Sequence, residues 1–164
     1  MKVDRPGAAR VLTETQVAAL VAEARSKGRR VVFTSGIFDL LHPGHVRYLE
    51  EARALGDLLI VGLSADESVR RNKGPGRPVT PQDERGEVLA ALASVDAVVV
   101  FSEDTAADII RRIQPDILVK GADLPADQIV GRDIVEARGG RVVILPLEPG
   151  YSTSSIVERI RNVR

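Results

Sequence analysis

The sequence predicts an α/β fold: a Rossmann-like, doubly wound five-stranded parallel sheet with helices on both faces. Five short apolar runs are rich in β-branched residues and nearly continuous, as in strands that are covered on both faces. Segments with helical periodicity lie between these runs, and such alternation is typical of right-handed βαβ crossovers. With 164 residues the chain is long enough for one buried core. We therefore expect a single domain over residues 1–164.

The predicted strands and helices alternate along the chain. The predicted strands cover residues 30–34, 58–63, 97–101, 117–119 and 142–145. The predicted helices carry apolar residues at helical spacing and cover residues 13–27, 45–55, 66–71, 81–94, 105–113, 132–138 and 154–163. The segment 13–28 is thus an N-terminal helix that stops at Gly28 and leads into the first strand.

Composition and charge exclude several classes of function. The 23 Lys and Arg residues balance 23 Asp and Glu residues, which argues against nucleic-acid binding driven by bulk charge. The absence of cysteine excludes disulfides and thiolate catalysis. No apolar run approaches the roughly 20 residues that cross a bilayer, and residues 1–10 lack the apolar segment of a secretory signal. We expect a cytoplasmic protein that binds neither nucleic acid nor membranes.

The two histidines of the chain, His42 and His45, enclose Pro43 and Gly44. Proline suits the first position of a helix, and glycine lets a ligand approach the backbone. Both imidazoles can share one face of a helix start, where free N–H groups and the helix dipole favour phosphate. We interpret the pair as stabilising charge on a phosphoryl group during its transfer. A helix cap with a packed histidine is one alternative, and a metal site with Asp39 as third ligand is another.

Small and polar residues follow the predicted strands, at the sheet edge where ligands bind in this fold class. They occupy residues 35–39, 64–67, 102–104, 120–123 and 150–155. The loop region 70–85 concentrates positive charge, which would complement phosphorylated substrates. Its basic residues are Arg70, Arg71, Lys73, Arg77 and Arg85. Hydroxyls at the start of the last helix predict a helix cap that can also bind phosphate.

Residues 36–45, with the sequence Gly-Ile-Phe-Asp-Leu-Leu-His-Pro-Gly-His, resemble the signature of the nucleotidyltransferase superfamily whose hallmark is H-x-G-H. Within that superfamily the chain is similar to the adenylyltransferases of ADP-heptose synthesis. This resemblance runs from about residue 13 to the C-terminus. It includes Gly56-Asp57, residues 70–78, Arg85, residues 120–123, Gly139-Gly140 and residues 150–153.

The resemblance implies transfer of an adenylyl group from ATP to D-glycero-β-D-manno-heptose 1-phosphate. It implies ATP and a sugar 1-phosphate as binding partners and Mg²⁺, bound with ATP, as the cofactor. Members of the family are often dimers, so a homodimer is compatible with this reading. Some members are fused to a kinase domain, for which this chain is too short, and the chain therefore resembles the free-standing form.

The residues that the motifs and the resemblance assign to the site fall into three groups. The catalytic group is His42, His45 and Lys73. The nucleotide-binding group is Ser35, Gly36, Ile37, Phe38, Gly44, Lys120, Gly121, Tyr151, Ser152, Thr153 and Ser154. The substrate-binding group is Asp39, Arg77, Arg85 and Asp123. No residue is predicted to be a metal ligand.

The sequence departs from the family pattern in two places, both at the sheet edge where ligands are expected to bind. Ser35 and Ile37 stand where the family usually has Asn and Cys, and Ala122 and Leu124 stand where it usually has Gly and Tyr. These differences affect the prediction of which sugar is bound more than the prediction of the reaction type. Two other functions stay open: a cytidylyltransferase acting on glycerol 3-phosphate or a related phosphorylated alcohol, and a nucleotide-binding module without catalysis.

Overall fold

A computed structural model of the chain describes residues 10–123 and 125–163. Residues 1–9, Leu124 and Arg164 lie outside the described part. The expectation that no secretory signal is present concerns residues 1–10 and so falls almost wholly outside it. No helix among the described residues is long and apolar enough to span a membrane.

The described residues form one parallel sheet of six strands in the order β1-β4-β3-β2-β5-β6. The strands are β1 Arg10–Leu12, β2 Val31–Gly36, β3 Leu58–Ser64, β4 Ala97–Phe101, β5 Ile117–Gly121 and β6 Arg141–Leu145. The helices are α1 Glu14–Ser26, α2 Pro43–Ala54, α3 Asp66–Lys73, α4 Gln82–Ala90, α5 Ala107–Ile113, α6 Arg132–Glu136 and α7 Thr153–Arg161. A single 3₁₀ turn, Ala126–Gln128, precedes α6.

The strand count differs from the prediction of five, because β1 was not expected. This strand has only 3 residues and pairs in parallel with the edge of β4, matching Arg10 with Ala97 and Leu12 with Val99. A segment of three residues is too short to show a pattern that predicts a strand. Only its pairing with β4, which is distant in the chain, identifies it as one. The predicted α/β class, the parallel pairing and the remaining five strands are confirmed.

Two separate apolar layers cover the sheet, one on each face. Val17 of α1, Ile110 of α5 and Val135 of α6 belong to the first layer. Leu49 of α2 and Leu89 of α4 belong to the second. Because each layer removes one face of the central strands from water, those strands can be apolar throughout, as their sequences are.

The strand order reverses at β2, which places a ligand crevice beside that strand. The chain runs from β2 outward through β3 to β4, and then returns to place β5 on the other side of β2. Thr34 pairs with Val119, so the ends of β2 and β5 lie side by side, with Ser35 next to Lys120. Crevices of this kind, at the carboxyl ends of strands beside a reversal, bind the ligands of doubly wound folds.

Candidate active site

A cavity of about 590 Å³ opens at the carboxyl ends of β2 and β5. All but one of the predicted site residues line it, and Arg85 is the exception. Three further residues were not predicted. The lining residues are Ser35, Gly36, Ile37, Phe38, Asp39, His42, Gly44, His45, Tyr48, Lys73, Arg77, Lys120, Gly121, Asp123, Leu147, Glu148, Tyr151, Ser152, Thr153 and Ser154.

The two histidines lie at the start of α2, against each other. Their rings stack with centroids 3.8 Å apart and an interplanar angle of 17°. His42 is the N-cap, and its Nδ1 accepts a hydrogen bond of 3.3 Å from the backbone N–H of His45. This bond leaves the proton of neutral His42 on Nε2. The expected helix cap is thus present, and the capping ring also lines the cavity.

Burial keeps both imidazoles uncharged near neutral pH. It is the main cause that lowers the pKa of His45 to about 4, and the proximity of His42 adds to the effect. Burial likewise lowers the pKa of His42. The Nδ1 of His45 is buried and has no hydrogen-bond partner within the described part of the chain. Buried polar groups without partners are uncommon, and active sites are among the places that tolerate them.

Gly44 allows the histidine pair to pack against the loop before α7. A Cβ atom at Gly44 would lie 3.0 Å from the Nδ1 of His42 and 3.1 Å from the Cβ of Tyr151. The Tyr151 ring stacks on His42 at 6.0 Å, and the Arg47 guanidinium lies 5.7 Å from the Tyr151 ring centroid. Glu148 in turn pairs with Arg47 at 3.0 Å. The two helix starts are therefore coupled through a continuous stack of side chains.

Lys120 lines the cavity with a mostly buried ammonium group. Its Nζ donates to the Ser35 hydroxyl at 2.7 Å and to the Ser35 carbonyl at 3.3 Å. Burial lowers the pKa of Lys120, while the Asp123 carboxylate acts in the opposite direction. Two protein acceptors leave one of the three ammonium donors available for a ligand.

The start of α7 supplies a second set of phosphate-binding groups. Ser152 is the N-cap, and its hydroxyl accepts a hydrogen bond of 3.0 Å from the N–H of Ser155. The free N–H groups and the positive end of the helix dipole favour an anion here. The cavity therefore has two helix N-termini on its wall, one at α2 and one at α7.

Asp39 lines the cavity, but its carboxylate is bound to the segment that follows α3. It accepts hydrogen bonds from Arg77 Nε at 2.7 Å and from the N–H groups of Val79 and Thr80 at 2.9 Å. Burial is the largest influence on this carboxyl and opposes its ionisation. The bonds from Thr80, Val79 and Arg77 outweigh it and hold the pKa of Asp39 below its usual value.

Arg85 does not fit its predicted role as a substrate ligand. Its side chain is fully buried, and it does not line the cavity. The guanidinium donates to three backbone carbonyls and to one carboxylate at 2.6–2.9 Å. These acceptors are Thr80 O, Ile37 O, Ser64 O and Asp66 Oδ1. Arg85 therefore links the loop after β2 and the end of β3 to the segment before α4, without facing the cavity itself.

The predicted cluster of positive charge is partly neutralised within the fold. Arg71 pairs with Asp104 at 2.7 Å, and Arg77 pairs with Asp39. Lys73, the last residue of α3, is exposed, lines the cavity and forms no ion pair with a described residue. Of the basic residues described in this region, Lys73 is thus the one that lines the cavity without an acidic partner.

Comparison with known proteins defines the family. Residues 33–159 match the family model described as cytidylyltransferase-like. The chain belongs to the cytidylyltransferase-like family. The matched range contains both helix starts, the histidine pair and Lys120.

Curated relatives of this cytidylyltransferase-like chain are considerably longer proteins. The bifunctional protein HldE of Trichlorobacter lovleyi is 54% identical over 141 residues, which cover 86% of this chain and 29% of the relative. The bifunctional protein HldE of Ectopseudomonas mendocina is 53% identical over 152 residues, covering 93% and 32%. The chain thus spans about a third or less of the length of these relatives.

A solved structure agrees with the fold and the family. The lipopolysaccharide core biosynthesis protein from Thermoplasma volcanium is 30% identical, with a TM-score of 0.61, and the match covers 74% of this chain and 98% of that chain. Together with the family match and the HldE relatives, this similarity identifies the chain as a nucleotidyltransferase.

Three cavity residues of this nucleotidyltransferase were missed by the sequence analysis: Tyr48, Leu147 and Glu148. Tyr48 lies three positions after His45 on α2, so helical spacing alone places it on the same face. Its hydroxyl pairs with Thr34 Oγ1 at 2.8 Å, and burial raises the pKa of Tyr48 to about 12. Leu147 and Glu148 lie in an irregular segment, which has no periodicity to reveal which side chains face the cavity.

The described residues hold no group of three or more His, Cys, Asp or Glu side chains arranged to bind a metal ion. Asp39, the third ligand of the alternative metal site, is instead occupied by donors from Arg77, Val79 and Thr80. A Mg²⁺ ion that arrives with a nucleotide does not require such a cluster, because phosphate oxygens and water commonly supply most of its ligands.

Proposed function

We propose that the chain transfers an adenylyl group from ATP to D-glycero-β-D-manno-heptose 1-phosphate in the cytoplasm, giving ADP-heptose and pyrophosphate for lipopolysaccharide core or other surface heptose synthesis. The observation that carries the proposal is the stacked, uncharged pair His42 and His45 at a helix start on the cavity wall. The 53–54% identity to HldE proteins and the likeness to a lipopolysaccharide core biosynthesis protein support the choice of substrate.

The chemical step is an in-line displacement at the α-phosphorus of ATP. An oxygen of the sugar phosphate forms a bond to this phosphorus while the bond to the bridging oxygen of the β-phosphate breaks, and pyrophosphate leaves with that electron pair. The attacking oxygen is already anionic, so no general base has to remove a proton. Catalysis then consists of positioning and of stabilising charge on the phosphoryl oxygens.

The cavity residues supply these two contributions. The Nε2–H of His42 and the imidazole of His45 donate hydrogen bonds to phosphoryl oxygens as uncharged groups, since burial lowers the pKa of both. Lys73 brings a positive charge to the α-phosphate, and the start of α7 at Ser152 binds the β- and γ-phosphates. Mg²⁺, held by phosphate oxygens of ATP, would reduce the charge of the triphosphate.

A grid of nucleotides and acceptors tests this proposal. Pyrophosphate release is measured for ATP and CTP, each with heptose 1-phosphate and with glycerol 3-phosphate. The proposal predicts fastest turnover with ATP and heptose 1-phosphate. Fastest turnover with CTP and glycerol 3-phosphate would instead identify a cytidylyltransferase for phosphorylated alcohols. Nucleotide binding without pyrophosphate release from any pair would identify a module without catalysis.

A further inference from the structure

We propose that Asp39 is a positioning residue that acts on the acceptor only through Arg77. In this proposal Asp39 never touches the substrate. It holds the guanidinium of Arg77 so that the terminal nitrogens meet the phosphate of the acceptor. The proposal rests on the proposed function for the identity of that acceptor, an anionic sugar phosphate.

The surroundings of Asp39 leave it no capacity for a ligand. Its side chain is only 1% exposed. One oxygen accepts from the N–H groups of Val79 and Thr80, and the other accepts from Val79 and from Arg77 Nε. A carboxylate with both oxygens occupied by donors has little left to offer a sugar hydroxyl, and its charge would repel an approaching phosphate.

The hydrogen bond to Asp39 orients Arg77 but uses only part of its guanidinium group. Only Nε is bonded to Asp39, at 2.7 Å, and the side chain is 26% exposed at the cavity. Its two terminal nitrogens have no hydrogen-bond partner among residues 10–123 and 125–163. These two nitrogens form one edge of the guanidinium, which matches two oxygens of a phosphate.

The segment that carries Arg77 is held at several points, so the orientation is built into the fold. Asp39 binds the N–H groups of Val79 and Thr80, while Arg85 donates to the carbonyl of Thr80 at 2.9 Å. Arg85 is anchored in turn on the carbonyl of Ile37, two residues before Asp39. The loop after β2 and the segment before α4 are therefore locked together, and Arg77 lies at their junction.

A double-mutant cycle tests the proposal. The variants are Asp39→Asn, Arg77→Met and the double variant, and the readouts are kcat/KM for heptose 1-phosphate and the Kd of ATP. In Asp39→Asn an amide NH₂ would face N–H donors, so Arg77 loses its support. We expect each single variant to lower kcat/KM for the acceptor by about tenfold or more, the effect of losing hydrogen bonds to a charged group.

The decisive comparison is between the double variant and Arg77→Met. If Asp39 acts only through Arg77, adding Asp39→Asn to Arg77→Met lowers kcat/KM for the acceptor no further. A further tenfold fall in the double variant, or a rise of kcat/KM in Asp39→Asn, would overturn the proposal. Lack of pyrophosphate release by the unmodified protein with every acceptor would contradict the proposed function itself, and this inference with it.

Asp116→Asn is the matched control for a purely structural effect. Like Asp39, Asp116 accepts a hydrogen bond from a backbone N–H, that of Val31 at 2.7 Å, but it precedes β5 at the opposite end of the sheet from the cavity. We expect this variant to unfold at a lower temperature while kcat/KM for the acceptor stays unchanged. An equal loss of kcat/KM in Asp116→Asn and Asp39→Asn would assign both effects to stability and overturn the positioning role.

Discussion

At the scale of single residues, the protonation of His45 links the site to the stability of the fold. The pKa of this imidazole falls from an ordinary 6.5 to about 4 in the folded chain, mainly through burial. Between these two values the unfolded chain binds a proton at His45 and the folded chain does not. Proton uptake therefore favours unfolding, and the contribution of His45 to stability is lost as the pH falls through this window.

Replacing His45 tests this linkage. We expect the wild type to lose more stability than His45→Asn between pH 6.5 and pH 4, because the variant has no imidazole to protonate. The measurement is the urea midpoint of both proteins across this range, and carboxylates elsewhere contribute equally to the two curves. Parallel curves for the two proteins would show that burial does not depress the pKa of His45.

Local spacing made the histidine pair predictable, whereas Arg85 was misassigned. His42 and His45 are three residues apart, and their helix start is marked by Pro43 and Gly44. The acceptors of Arg85 include carbonyls 48 and 21 residues earlier in the chain, at Ile37 and Ser64. A sequence shows that an arginine is present in a basic loop, but not that the fold turns its guanidinium inward.

At the scale of elements, the N-caps of α1 and α7 allow an effect on stability to be distinguished from an effect on nucleotide binding. Thr13 caps α1 within a capping box and does not line the cavity, whereas Ser152 caps α7 on the cavity wall. We expect Thr13→Ala and Ser152→Ala each to cost about 1 kcal/mol of unfolding free energy, since each removes a side-chain cap. We expect only Ser152→Ala to raise the KM of ATP.

Urea unfolding and steady-state kinetics on both variants provide the two readouts. Equal kinetic losses in Thr13→Ala and Ser152→Ala would mean that the start of α7 has no special contact with the nucleotide. An unchanged KM in both variants would also contradict the placement of the β- and γ-phosphates at α7.

Elements with a clear local pattern, either helical periodicity or a continuous apolar run, were predicted well, whereas a strand defined only by its pairing was not. The helix predicted over 13–27 is α1, Glu14–Ser26, and the strand predicted over 58–63 is β3, Leu58–Ser64. In contrast, β1 owes its existence to hydrogen bonds with β4, more than 80 residues away in the chain. Pairing of this kind depends on the completed sheet, which a local pattern does not contain.

At the scale of the whole molecule, the balanced charge conceals an uneven distribution. Formal net charge is zero, and most basic side chains near the cavity have acidic partners. Lys73 and Lys120 are the exceptions among the described cavity residues, since neither forms an ion pair. The phosphate-binding capacity therefore comes from a few placed groups and two helix starts rather than from a broad positive field.

The two apolar layers on the faces of the sheet are expected to support the site without contacting the substrate. Ile110 is fully buried in the layer of α1, α5 and α6. We expect Ile110→Ala to lower the unfolding free energy by about 2–5 kcal/mol through the cavity it leaves. Urea unfolding measures this loss, and kcat measured well below the unfolding temperature is expected to remain at the wild-type level. A reduced kcat in a folded variant would show that this layer also sets the geometry of the site.

The central claim is that the stacked histidine pair stabilises the transferred phosphoryl group. Its most direct test is kcat for pyrophosphate release from ATP and heptose 1-phosphate by His45→Ala and His42→Ala, with circular dichroism to confirm folding. We predict a fall of about 100-fold or more in each folded variant, the size of effect seen when one transition-state donor is removed. A folded His45→Ala variant that turns over at nearly the wild-type rate would contradict the claim.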